Sequence, residues 1–266
     1  MPRNYNRGPG GGIPTSPWTV DYVLGNFGNA PEASGDIDLT LAASGTQDLT
    51  DDQAKTATWE YRGTGNASAM AIVDGGALEV TSLHNKNFWY PGVTTTCAML
   101  GVPLADLFES PAEDDELCIQ LPIEPPVTAN NKFHTAWMIQ SGTAGCFWRW
   151  LQNVSAVDRV EGAISTALAN VVTASPVRFV ELRFRLVDRG GIVRFGYTPF
   201  AGAWPEPGAT EDIVRRTVHR VSGNLETGSG WDPAVAKLWL GAGQDSGPTP
   251  VPVTKFTGIR ALRLTG

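Results

Sequence analysis

Between Val177 and Tyr197 the sequence alternates apolar and polar residues with a strict period of two, and this pattern constrains the fold more than any other feature. Val180, Leu182, Phe184 and Leu186 fall on one side of an extended chain, and Glu181, Arg183 and Arg185 on the other. Successive side chains of a β-strand point to opposite faces, so this is the mark of a strand with one face buried. Asp188-Arg189-Gly190-Gly191 supplies a turn, after which Val193, Phe195 and Tyr197 continue the alternation opposite Arg194. The same period recurs at Leu117, Ile119, Leu121 and Ile123, at Leu238 and Leu240, and at Leu262 and Leu264 about Arg263. Residues 77–82 follow the turn Asp74-Gly75-Gly76, and residues 134–140 are parted from 145–151 by the hairpin-like break Ser141-Gly142-Thr143-Ala144. Many short strands need many turns, and 30 Gly and 19 Pro are spread along the chain to make them. A chain of 266 residues, 42% hydrophobic with 9 Trp and 10 Phe, can fill one large all-β core.

Three stretches stand apart from the strands. Residues 1–17 include Arg7-Gly8-Pro9-Gly10-Gly11-Gly12-Ile13-Pro14, where glycine raises the entropy cost of ordering and proline removes backbone donors. Such an arm buries little against its own domain and is expected to be ordered only in a groove of another subunit. Arg3, Tyr5, Arg7, Gly10, Ile13 and Trp18 are its candidate contact residues. A short helix is expected over 210–222, where Ile213, Val214, Thr217, Val218 and Val221 recur at helical spacing. Thr210 would cap it, Glu211 and Asp212 suit its first turn, and Gly223 would end it. Val160, Ile164, Leu168 and Val172 are also spaced by four, yet Gly162 and the β-branched neighbours suit strands equally, so both readings stand. The expected organisation is an arm (1–17), a linking segment or added strands (18–54), and a β-sandwich (55–266).

Residues 178–205 resemble the paired-strand core of the concanavalin A-like lectin and glucanase superfamily: a hydrophobic strand, the Gly190-Gly191 turn, an aromatic strand ending at Tyr197, and a small-residue loop ending at Trp204. Lys237–Gly241 and Phe256–Leu264 look like that family's last strands, and the likeness covers about half the chain, from about 77 to 264. The resemblance implies a two-sheet antiparallel jelly-roll sandwich, here with an extended arm and one or two short helices, and places Trp204 in the core. It speaks to fold and not to activity.

The chemistry of the residues excludes several functions. With 27 Asp+Glu against 20 Lys+Arg the net charge is −7, which disfavours nucleic acid and anionic membranes as partners. Cys97, Cys118 and Cys146 are an odd set without C-x-x-C spacing; three reduced, mostly buried cysteines are expected, which suits assembly in a cytoplasm, with one disulfide and a spare thiol as the alternative. No apolar stretch suits a signal peptide or a membrane helix. Glycosidases of this fold need two carboxylates on one strand face. Glu113-Asp114-Asp115-Glu116 instead alternates faces and reads as a solvated loop, and Asp36 and Asp38 make only a lone pair. Asp48, Asp51 and Asp52 lack a calcium-loop pattern, and His84, His134 and His219 lack zinc-ligand spacing, so neither metal nor cofactor is expected. Asn85, Asn87, Phe88, Trp89 and Tyr90 form the best candidate for stacking and hydrogen bonding to a sugar; alternatively Phe88 and Trp89 plug the end of the sandwich. Trp148 and Trp150, two apart on one strand, are either core or a flat contact surface.

These readings point to a non-enzymatic structural protein of a bacteriophage virion: a capsid decoration or cement protein, a head spike or a tail component. It would assemble in the host cytoplasm as a homo-oligomer and dock through its arm on other virion proteins, such as a major capsid protein, with a surface glycan as a further partner. The alternative is a glycan-binding module or a degenerate glycosidase.

Overall fold

The computed structural model describes residues 16–25, 27, 44–62, 70–72, 76–81, 98–124, 132–141, 144–152, 158–164, 167–173, 178–185, 190–196, 198–208, 214–219, 233–246 and 253–265. They form two sheets. The first runs in the order β14 (Val214–His219), β13 (Gly190–Gly196), β12 (Phe179–Phe184), β7 (Glu116–Glu124), β16 (Val253–Phe256), β5 (Leu78–Thr81) and β4 (Met70–Ile72). β17 (Ile259–Leu264) also lies on β7, and β1 (Thr19–Leu24) pairs with β17. The second runs β11 (Ala167–Thr173), β10 (Asp158–Ile164), β9 (Ala144–Gln152), β8 (Lys132–Ser141), β15 (Lys237–Ser246), β6 (Ala98–Pro103), β3 (Thr56–Arg62) and β2 (Ser44–Thr50). Every pairing among the described strands is antiparallel. The expected two-sheet antiparallel sandwich is therefore the observed architecture.

The core lies between the sheets. Leu117, Ile119, Leu121, Ile123, Val180, Leu182 and Phe184 face it from the first, and Leu49, Trp59, Leu100, Val102, Ile139, Leu238 and Leu240 from the second. The period-two residues of β7, β12 and β15 thus sit where their alternation placed them. Leu262 and Leu264 do not: the register sets them beside Cys118 and Glu116, on the face away from the core, and Ile259 and Ala261 face the core instead. Leu186 and Tyr197 lie outside the described residues. Residues 18–54 contribute strands: Tyr22 and Leu24 of β1 and Leu49 of β2 are all buried. Trp59 donates from Nε1 to the Tyr22 hydroxyl at 3.4 Å, satisfying two polar atoms inside the core. The break between β16 and β17 needs Gly258, because a Cβ there would stand 2.8 Å from the Leu24 carbonyl oxygen of β1.

Several expectations are corrected. Val214–His219 is a strand on β13, not part of a helix; its register sets Thr217 on Ile192 and Val218 on Gly191. β-branched side chains suit a pleated sheet, and here that preference together with the β13 edge outweighs the helical spacing. The proposed cap residues Thr210 and Gly223 lie outside the described residues. The short helices fall elsewhere, at Leu104–Leu107 and, as a 3-10 turn, at Pro233–Val235. Residues 158–173 supply the hairpin β10–β11. Trp204 is half-buried rather than core. Glu181 and Arg194, assigned to the polar side of their strands, are 0% and 3% exposed. The reason is a cover over the outer face of the first sheet.

Candidate functional site

That cover has two parts. One is the loop at 198–208, joining β13 towards β14; the other is the stretch 16–18 just before β1. The Ser16 hydroxyl donates to Glu206 at 2.5 Å, joining the two. Trp18 lies 5.0 Å beneath the Arg183 guanidinium, whose Nε donates to Glu116 at 2.7 Å. The structure therefore places Trp18 against its own domain. The other candidate arm residues, Arg3, Tyr5, Arg7, Gly10 and Ile13, lie outside the described residues.

A row of polar positions crosses five strands of the first sheet, and Gln120, Glu181 and Arg194 in it are buried beneath the cover. The register sets Arg260 of β17 opposite Gln120 of β7, Gln120 opposite Glu181 of β12, Glu181 opposite Arg194 of β13, and Arg194 opposite Arg215 of β14. Gln120 Nε2 donates to Glu181 at 3.1 Å and to the Pro205 carbonyl oxygen at 2.9 Å. The Gly208 N–H donates to Glu181 at 3.3 Å, and Arg194 Nε stands 3.6 Å from the other Glu181 oxygen. Arg260 donates to Pro205 at 3.4 Å, and burial lowers its guanidinium below the usual value. Gly208 adopts φ +80°, and a Cβ there would meet Arg194 Nη1 at 2.2 Å, so only glycine lets the loop lie this close. Cys118, in the neighbouring row on Arg183, is fully buried, and that burial pushes its thiol well up.

The acidic clusters are engaged structurally. The Asp51 carboxylate accepts the backbone N–H groups of Val23, Gln53 and Lys55 at 2.9, 2.8 and 2.7 Å, fastening the β2–β3 turn to β1. Asp48 accepts the Thr58 hydroxyl at 2.7 Å. In the run Glu113–Glu116 only Glu113 and Asp114 are solvated. Asp115 is buried; it accepts the Ala112 N–H at 2.9 Å and faces Arg263, while Glu116 pairs with Arg183. Arg263 in turn donates to both oxygens of buried Asp21, at 2.8 and 3.2 Å. Among the described residues no group of three His, Cys, Asp or Glu could hold a metal ion. His134 and His219 lie on β8 and β14, and His84 is outside the described residues, as are Asp36 and Asp38. No described helix is long and apolar enough to cross a membrane.

The sugar-binding candidates Asn85, Asn87, Phe88, Trp89 and Tyr90 lie outside the described residues. Trp148 stands opposite Trp137 of β8 and Gly162 of β10, and Trp150 opposite Thr135 and Val160. A different place has the shape of a site. A pocket of about 200 Å³ opens where the 198–208 loop meets the end of β7, lined by Glu124, Arg178, Phe200, Gly202, Gly25 and Thr257 among others. Phe200 forms its aromatic wall, stacked on Phe179 with centroids 6.4 Å apart and touching the Trp204 ring at 4.7 Å. The main chain of Arg178 is fixed on both sides: its N–H donates to Gly196 at 2.8 Å, and its carbonyl accepts from Ile123 at 2.9 Å. The Glu124 carboxylate and the Arg178 guanidinium make no ion pair or side-chain hydrogen bond with described residues. The Pro199-Phe200-Ala201-Gly202-Ala203-Trp204 segment was visible in the sequence as a family-like loop, but the pocket's other residues come from four distant places and left no local signal.

Solved structures supply the remaining comparison. The carbohydrate-binding (CBM2) module of the evolved Dit protein of Lactobacillus casei BL23 phage J-1 aligns over 94% of this chain and 97% of its own, at 7% identity and a TM-score of 0.53. The fold is common to the two proteins. A xylan β-1,4-xylosidase from Bacillus halodurans C-125 aligns over 87% of this chain at 10% identity and a TM-score of 0.50, but the match spans only 41% of the enzyme. Arcelin-5, a lectin-like defence protein of Phaseolus vulgaris, aligns over 93% of this chain and 99% of its own at 8% identity and a TM-score of 0.47. No protein-family model matches the sequence. No curated protein matches it either.

Proposed function

We propose that this chain is a non-enzymatic structural module of a virus particle that presents a sugar-contacting sandwich at the particle surface. The observation that carries this reading is the division of labour among polar groups. The described acidic clusters are engaged in turns and arginine pairs, as with Asp51, Asp115 and Glu181, while an aromatic wall with one guanidinium and one carboxylate stands at an open pocket. Glycoside hydrolysis needs two carboxylates flanking a bond, whereas recognition needs a ring to stack on and a few polar partners. The end-to-end likeness to a phage carbohydrate-binding module supports the same reading.

In this reading the chain assembles in the host cytoplasm as a homo-oligomer on other virion proteins, such as a major capsid protein or a tail component, with residues 1–15 as the docking arm. The test is a glycan panel probed with the purified chain, run beside hydrolysis assays on β-glucans, agar and alginate. Binding without product is expected. Turnover abolished by changing a single carboxylate would overturn the reading in favour of a glycosidase. Co-sedimentation with the particle tests the arm: a chain lacking residues 1–15 should stay folded and lose attachment, and undiminished attachment would refute docking through the arm.

A further inference from the structure

Of the places in the molecule that could hold a ligand, the polar row beneath the 198–208 loop is buried at Gln120, Glu181 and Arg194, while the pocket beside that loop is open and holds two charged side chains not bonded to other described residues. We infer that this pocket takes a single neutral sugar ring, the terminal residue of a glycan rather than the interior of a chain; the inference rests on the sugar-contacting role proposed above. Size makes the first part of the case. A volume of about 200 Å³ falls below the roughly 300–1,000 Å³ that encloses drug-sized ligands, so one ring enters and a run of rings does not. The wall makes the second. Phe200 is half-buried and backed by Phe179 and Trp204, so its ring is held still while part of it stays open to stack on the apolar face of a sugar.

Charge makes the third part. Arg178 offers donors only and the Glu124 carboxylate acceptors only, and each sugar hydroxyl can serve both. The pair is neutral overall, and a uronate that gained from Arg178 would meet repulsion from Glu124. A neutral ring therefore suits the pocket better than an acidic one. The loop that carries Phe200 is itself anchored, through Pro205 to Gln120 and through Gly208 to Glu181, so the wall is set before any ligand arrives.

The experiment titrates the whole chain with methyl glycosides of neutral hexoses and of the corresponding uronic acids, followed by saturation-transfer NMR and calorimetry. Neutral glycosides should bind and uronates should bind more weakly. Phe200→Ala should weaken the neutral sugars by about tenfold. Arg178→Ala and Glu124→Gln should each weaken them as well, with thermal midpoints close to that of the unaltered chain. Two results would overturn the pocket assignment alone: neutral sugars bound equally well by all three variants, or uronates preferred. A glycan panel on which the unaltered chain binds nothing would instead refute the sugar-contacting role itself. If Phe200→Ala proves unstable, Arg178→Ala and Glu124→Gln decide the question, since both lie at the pocket and neither side chain is bonded to another described residue.

Discussion

Glu181→Ala should be among the most destabilising single changes on the outer face of the first sheet. The side chain is 0% exposed and receives Gln120 Nε2 at 3.1 Å and the Gly208 N–H at 3.3 Å, with Arg194 Nε at 3.6 Å. Truncation leaves the Arg194 cation, 3% exposed, without its carboxylate, and takes one acceptor from the cover loop. Removing one member of a buried ion pair costs about 3–5 kcal/mol, because the remaining charge cannot be rehydrated in place. With a urea m-value of about 2–3 kcal/mol/M, the unfolding midpoint should fall by about 1–2.5 M. The double replacement Glu181→Leu with Arg194→Met should recover much of the loss, since an apolar pair of similar volume avoids desolvating two charges. Urea unfolding followed by tryptophan fluorescence measures all three proteins. A loss below about 1 kcal/mol for Glu181→Ala would show that the 198–208 loop stands open in solution and that the row is hydrated.

Other changes probe the rest of the frame. Leu182→Ala, facing the core at 1% exposure, should cost about 2–4 kcal/mol through lost burial and a residual cavity, while exposed Arg185→Ala should cost less than about 0.5 kcal/mol; equal losses in urea would contradict the one-sided core. Gly101→Ala would put a Cβ 2.4 Å from the Trp239 ring, and forcing that ring aside should cost about 1–3 kcal/mol and change the near-ultraviolet circular dichroism. Burial raises the Cys118 thiol and the Tyr22 phenol above their usual 9.0 and 10.0, so the unfolded chain loses these protons first. Stability should therefore be intact below about pH 9 and fall as pH rises past it; urea midpoints across that range test this, and Cys118→Ala should remove the earlier part of the decline.

The buried face of the sandwich was legible because alternation reports which side of a strand an apolar core lies on. Val180, Leu182 and Phe184 needed only their own spacing to declare it. The covered outer face was not legible, since nothing near Glu181 or Arg194 announces that a loop from 198–208 will fold back over them. Tertiary contact, and not local pattern, turned two polar positions into buried ones. Residues 214–219 were misread for a related reason: a spacing of one and four suits a helix, but Val214, Thr217 and Val218 found an unpaired strand edge on β13. The pocket was invisible in the same way. Its lining gathers single residues from the ends of β1, β7, β12 and β16 and from one loop, and chain order does not encode that meeting.

The place of β17 has a consequence for the order in which the molecule is made. Among the described strands β1 joins the first sheet only through β17, which lies between it and β7, and the Arg263–Asp21 bonds that seal this junction link residues 242 positions apart. A nascent chain that has produced β1 and β7 holds two strands with no common partner, and each keeps a row of backbone donors and acceptors unsatisfied until β17 emerges. Closing so long a loop is slow, and in the interval both edges are templates for another chain. This interval exposes the nascent chain to edge-to-edge aggregation.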